Sequence, residues 1–116
     1  MKIGEVCLLT GDVVRLANFY KKVLLDVEND CQDTVHQFIL KDETTLTVHN
    51  DGTERTGNSH HICIAFTVGD VDAEYERLQA LGVEIINPPT VRPWGAKNMM
   101  FLDPDGNHVY FRSIPE

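Results

Sequence analysis

The sequence predicts an α+β protein built as two βαβββ modules, and three observations carry that prediction. First, "LLTGDVVRLANFYKKVLLDV" lies over "AFTVGDVDAEYERLQALGVEI" with Gly11-Asp12-Val13 above Gly69-Asp70-Val71, an offset of 58 residues, or half the chain. Self-similarity at a fixed spacing is the mark of a duplicated supersecondary unit. Second, within each copy apolar periodicity changes from two to about 3.6 residues at the Gly-Asp pair, as at a strand-to-helix passage. Third, "FLDPDGNHVYF" joins two strand-like runs through a Pro-containing tight turn. There proline's fixed φ suits the second turn position and Gly the fourth.

The elements follow in order. In "KIGEVCLL", Val6 and Leu8 alternate with Glu5 and Cys7, the pattern of a half-buried strand. Asp12 stands where a helix N-cap belongs, its carboxylate able to accept from the free N–H groups of the first turn. Val13, Leu16, Phe19 or Tyr20, and Val23 then recur at helical spacing. Short strand candidates follow at "DVENDC", "VHQFIL" and "TTLTVHN". "HNDGTERTGN" is polar, glycine-containing and aperiodic, and reads as the linker between modules.

The second module opens on "SHHICIAFTVGD". Alternation puts Ile62, Ile64, Phe66 and Val68 on the face packed against a helix and His61, Cys63, Ala65 and Thr67 on the other. Asp70 caps the next helix, whose apolar stripe is Val71, Tyr75, Leu78 and Leu81, and Gly82 closes it in the left-handed conformation. Strands are expected at "VEIINPP", "KNMMFL" and "HVYFRS". The chain is therefore read as one domain over 1–116, with module one at 1–50, a linker at 51–59 and module two at 60–116.

Composition narrows the function. Eighteen acidic against ten basic residues give a net charge of −8, which repels phosphate backbones and anionic membranes, so neither nucleic acid nor membrane is an expected partner. No apolar run approaches the roughly 20 residues of a membrane span. The N-terminus lacks the apolar core of a secretory signal, and a cytoplasmic location is expected. Cys7, Cys31 and Cys63 are odd in number and form no CxxC pair, as reduced thiols do.

Four pieces, "LLTGDVVRLANFYKKVL", "IAFTVGDVDAEYERLQALGVEI", "RPWG" and "FLDPDGNHVYF", together resemble the vicinal oxygen chelate superfamily, which includes glyoxalase, bleomycin-resistance proteins and extradiol dioxygenases. The resemblance spans nearly the whole chain. It implies sheets curled into a cup, helices on the convex side, a ligand pocket on the concave side, and a homodimer. In metal-using members, four positions face the cup, on the first and last strand of each module, and the metal holds vicinal oxygens of the substrate as a Lewis acid.

Carried onto this sequence, the first-strand positions lie seven residues before each helix-capping aspartate, at Glu5 and Cys63, again 58 residues apart. The last-strand positions fall near Thr45 and on Tyr110. A carboxylate and a thiolate can ligate metal, but a Thr hydroxyl is a poor ligand and a Tyr phenol is mostly protonated. The set is therefore expected to need no metal cofactor, with Glu5 a solvated or hydrogen-bonded carboxylate at the cup edge and Cys63 a small buried hydrophobe. His60 points to the wrong face. His61 shares the face of Cys63, but one pleat repeat, about 6.5 Å, away. It reads as a rim residue touching ligand, or as a ligand to metal only if the register slips. His36, His49 and His108 are weaker candidates, and no HxxxH or HExxH pair supplies two ligands from one element.

The second module also gathers Trp94, Met100, Tyr110 and Arg112 through "RPWGAKNMM" and "HVYFR". Aromatic and thioether groups form an adaptable apolar wall, and Arg112 can orient an anionic or carbonyl group. Alternatively, Trp94 is a loop cover and Met100 is core. Two functions follow. One is a metal-independent protein binding a small aromatic or amphipathic molecule through Glu5, His61, Cys63, Trp94, Met100, Tyr110 and Arg112, with the negative charge attracting a cationic drug. The other is a divalent-metal-dependent lyase or dioxygenase using Glu5 with Cys63 or His61. A third is an accessory domain whose cup is closed by side chains.

Overall fold

The computed structural model describes residues 1–28, 30–55 and 62–114. The chain divides into two compact units, Met1–Thr56 and Gly57–Glu116, each carrying one copy of the repeat.

The first unit runs β1 (Glu5–Leu9), α1 (Val13–Leu25), β2 (His36–Lys41) and β3 (Thr45–His49), with sheet order β1-β3-β2. Asp12 caps α1 by accepting the Arg15 N–H at 3.1 Å. The buried stripe is Val13, Leu16, Ala17, Tyr20 and Val23, which decides for Tyr20 over its edge-on neighbour Phe19. It packs on β2 and β3, where Ile39, Leu46 and Val48 are buried. Burying each such side chain contributes about 1.5–3 kcal/mol of transfer free energy.

None of the described residues of "DVENDC" lies in the strand expected there. Asp26 turns left-handed, φ 53°, to end α1, a conformation that Asp tolerates better than most residues. Asp26, Val27, Glu28 and Asp30 are exposed, and the Cys31 N–H bonds the Asn18 side-chain oxygen at 2.8 Å. Three carboxylates within five positions leave too few apolar residues for a strand face, and the helix side chain takes a donor that a ladder would have used. The first unit is thus βαββ.

The second unit is the full βαβββ: β4 (Cys63–Thr67), α2 (Val71–Ala80), β5 (Ile85–Val91), β6 (Lys97–Leu102) and β7 (His108–Ser113), with sheet order β4-β7-β6-β5. Asp70 caps α2 through the Ala73 N–H at 3.1 Å. Val71 and Leu78 are buried, whereas Tyr75 is half-buried and Leu81 is exposed at the helix end. Gly82 adopts φ 77°, and its N–H and that of Val83 satisfy the carbonyls of Gln79 and Leu78. Met99, Phe101, Val109 and Phe111 form the core beneath α2, with the Phe101 and Phe111 rings edge to face at 5.0 Å.

Asp103-Pro104-Asp105-Gly106 is the expected turn, closed by Gly106 N–H to Asp103 O at 2.9 Å, with Gly106 at φ 81°. The Asp103 carboxylate is buried inside it and accepts from the Asp105 and Asn107 N–H groups and from Asn107 Nδ2. At the sheet edge β5 carries Pro88 and Pro89, and the β5–β6 register shifts between Asn87 and Thr90. Among the described residues no helix is long and apolar enough to cross a membrane.

Candidate functional site

Each unit pairs its first strand in parallel with its last, and the register fixes which side chains stand together on the face turned from the helix. In the first unit Glu5, Cys7 and Leu9 on β1 oppose Thr45, Thr47 and His49 on β3. In the second, Cys63, Ala65 and Thr67 on β4 oppose His108, Tyr110 and Arg112 on β7. The burial of β4 alternates, with Ile64 and Phe66 half-buried and Cys63, Ala65 and Thr67 exposed, so Cys63 is not the small buried hydrophobe expected: its side chain stands on the face turned from α2.

This register corrects the internal correspondence. Glu5 opposes Thr45 as Cys63 opposes His108, so the first-unit counterpart of Tyr110 is Thr47 and not Thr45. The completely buried Thr47 donates to a Glu5 carboxylate oxygen at 2.6 Å. Counting back from a turn fixes a place along one strand but not its offset from the partner, which is why Thr47 escapes the sequence.

Cys7 stands beside this pair. Partial burial, then the nearby Glu5 carboxylate, push its thiol up, while a hydrogen bond with Thr47 opposes them. Cys7 is a poor nucleophile here, since the thiolate is the reactive form. Cys63 is exposed beside His108, and Cys31 is buried with Sγ donating to Gln37 Oε1 at 3.3 Å.

His36 and His49 are cross-strand partners with ring centroids 5.7 Å apart, and His49 Nδ1 bonds the Val35 carbonyl at 2.9 Å. They share a face with Phe38, which packs edge-on against His36 and lies under Lys41 Nζ. His60 and His61 lie outside the described residues.

On the second sheet, Tyr110 stands between Ala65 of β4 and Met100 of β6, which in turn faces Asn87 of β5. Met100 is buried at 7 % exposure, although it sits on the face away from α2. The adjacent row is Thr67, Arg112, Asn98 and Thr90. Arg112 Nε donates to Thr67 Oγ1 at 3.3 Å, and Arg92 Nε donates to Asn98 Oδ1 at 2.9 Å. Trp94 belongs to the tight turn of Arg92–Gly95, closed by the Gly95 N–H to Arg92 O at 2.9 Å, and Gly95 at φ 94° leads the chain back so that the Arg92 N–H meets Ala96 O at 2.8 Å. Its ring is 72 % exposed. Met100, Tyr110 and Arg112 are therefore brought together, and the exposed Trp94 stands in the turn before β6, at the Arg112 end of that sheet. Arg92, bonded to Asn98 of this row, is a second residue, after Thr47, that the sequence did not single out.

The donor set does not fit a divalent metal. The first unit offers Glu5 already accepting from a hydroxyl, and the second offers a phenol where a carboxylate or imidazole would serve. Among the described residues no group of three or more His, Cys, Asp or Glu side chains could hold an ion. A separate cleft of about 370 Å³ opens at the start of α1 between Asp12, Val13, Thr34, Val35, Asn50 and neighbours, and includes none of the expected site residues.

The chain matches the model of the Glyoxalase/Bleomycin resistance protein/Dioxygenase superfamily over residues 2–111. Similar solved structures include a glyoxalase/bleomycin resistance protein/dioxygenase from Nocardioides, 22% identical with a TM-score of 0.78, covering 100% of this chain and 85% of that one. A lactoylglutathione lyase from Agrobacterium tumefaciens is 21% identical with a TM-score of 0.73, covering 97% and 92%. A fosfomycin resistance protein from Listeria monocytogenes is 22% identical with a TM-score of 0.72, covering 99% and 94%. At such identities the likeness is one of fold. No curated protein sequence matches the chain.

Proposed function

The chain belongs to the glyoxalase/bleomycin resistance protein/dioxygenase superfamily, and within it we propose a protein that binds a small aromatic or amphipathic molecule without a metal. The observation that carries this reading is the cross-strand pair Met100 and Tyr110, beside the small Ala65. Directly opposed side chains on a sheet stand about 4.5–5.5 Å apart at Cβ, so a thioether and a phenol ring make one continuous apolar wall. Ala65 leaves the side of the Tyr110 ring uncovered by any long β4 side chain. Polar groups flank the wall at both ends, with Cys63 and His108 at one and Arg112 at the other, as in pockets that combine apolar lining with a few anchors. Glu5 and Thr47 satisfy each other, and no catalytic step is assigned to them.

The test is direct. The protein is purified without chelator, its zinc, iron, nickel and manganese are measured, and retained small molecules are identified by mass spectrometry after denaturation. Substoichiometric metal, with a retained molecule that is lost in Tyr110→Ala, is the expected result. Stoichiometric metal that disappears in Glu5→Ala would overturn it in favour of a metal-dependent lyase or dioxygenase. A homodimer is part of the same proposal and is checked by sedimentation equilibrium.

A further inference from the structure

We propose that the bound molecule is an anion whose oxyacid group, a carboxylate or a phosphorus oxyacid, is held by Arg112 and Arg92. The inference rests on the reading of the Met100–Tyr110 wall as a binding surface. It adds the charge class of the ligand and a second anchoring residue.

Arg15, Arg55 and Arg77 each form an ion pair with a carboxylate, of Asp12, Asp51 and Glu74. Lys97 on β6 does so as well, with Asp72. Arg92 and Arg112 bond only neutral oxygens, those of Asn98 and Thr67, and no carboxylate among the described residues pairs with either. In a chain with 18 acidic against 10 basic residues, two arginines with no acid among the described residues are placed against the prevailing charge.

They are also placed together. Arg112 and Asn98 are cross-strand partners, and Asn98 accepts from Arg92, so the amide lies beside both side chains. Each guanidinium commits Nε to a neutral acceptor. That contact orients the group without neutralising it and leaves the Nη donors, whose spacing suits the two oxygens of a carboxylate or phosphorus oxyacid. Two cations side by side repel each other, and an oxyanion between them relieves that repulsion.

The position matters as much as the charge. Arg112 lies two residues along β7 from Tyr110, and Asn98 two residues along β6 from Met100, so the cationic row borders the apolar wall directly. A molecule with an apolar body over Met100 and Tyr110 and an acidic head on the arginines matches both rows. A cation would meet two guanidiniums instead. The local field therefore opposes the preference for a cationic ligand that the net charge of −8 predicts.

The test uses probes that share one body. 4-Phenylbutyrate, 3-phenylpropylphosphonate, 4-phenylbutanamide and 4-phenylbutylamine are titrated at millimolar concentration against the full chain. Binding is read from the fluorescence of Trp94, the only tryptophan, which stands two residues from Arg92. The acids are expected to bind at least about tenfold more tightly than the amide, since a charge-assisted hydrogen bond contributes about 1.5–3 kcal/mol. Whichever acid binds more tightly identifies the source of the oxyanion. That preference should weaken with salt, fall about tenfold in Arg112→Gln and in Arg92→Gln, recover partly in Arg112→Lys, and persist in Lys41→Gln. Circular dichroism establishes that each variant is folded. Equal binding of amide and acids, both lost in Tyr110→Ala, overturns the anion assignment and leaves the binding surface standing. Preferential binding of the amine overturns it too. No binding by any probe overturns both.

Discussion

Replacing Asp103 by alanine should cost about 2–3 kcal/mol of stability, and the structure supplies the reasoning. The carboxylate is only 5 % exposed and accepts the Asp105 and Asn107 N–H groups, both at 2.9 Å, and Asn107 Nδ2 at 2.8 Å. Hydrogen bonds to a charged acceptor contribute about 1.5–3 kcal/mol each, which sets a ceiling well above the expected loss. Asp105 and Asn107 are half-buried, so water reaches their orphaned donors in the variant, and the desolvation cost of the carboxylate disappears with it. Asp103→Asn keeps one oxygen for the two backbone donors but turns an amide N–H2 towards Asn107 Nδ2, and should lose about 1 kcal/mol. Urea denaturation followed by circular dichroism measures both, with an unchanged m-value, and the alanine variant should melt roughly 10 °C lower. A loss below about 0.5 kcal/mol in Asp103→Ala, or a larger loss in Asp103→Asn, would refute the reasoning.

Three further outcomes follow from single contacts. Glu5→Gln removes the carboxylate that, after burial, raises the Cys7 thiol, so iodoacetamide should label Cys7 faster at mildly alkaline pH, as read by peptide mass spectrometry. Asp33 is held below the usual carboxylate range first by the Val35 and His36 N–H groups, so it favours the folded state at neutral pH and that contribution is lost as pH falls through its folded value; Asp33→Ala should flatten the acid side of the stability profile. Gly82→Ala should cost about 1 kcal/mol in urea titration, purely from the left-handed backbone at φ 77°, because an added Cβ meets nothing within 4 Å.

Local signals were legible and relational ones were not. Asp12 and Asp70 cap their helices as the Gly-Asp repeat predicts, because capping depends on residues within one turn. β6 and β7 lie where alternation and the Asp103–Gly106 turn put them, whereas β5 begins and ends two residues later than "VEIINPP". "DVENDC" mimics a strand in its order of elements, yet its carboxylates and the Asn18 bond to Cys31 leave it irregular. Among the site residues, Met100, Tyr110 and Arg112 share a face because period two is rigid along a strand. The Thr47–Glu5 bond depends on the offset between two strands 42 positions apart in sequence, which no periodicity records. Arg92 sits inside the same "RPWG" stretch as Trp94, and what distinguishes it, the bond to Asn98 with no carboxylate partner among the described residues, is visible only when neighbours in space are known.

The prolines of β5 bear on how the molecule behaves at high concentration. Successive N–H groups of a strand point to alternate sides, so two consecutive prolines remove one donor facing β6 and one facing the free edge. The inward gap coincides with the register shift between Asn87 and Thr90, and the outward gap interrupts the row that an incoming strand would need. The opposite border of that sheet, β4, is a regular five-residue strand without proline. The second sheet can thus be extended from one side only, and chain-to-chain β pairing is blocked at the border that carries "NPP".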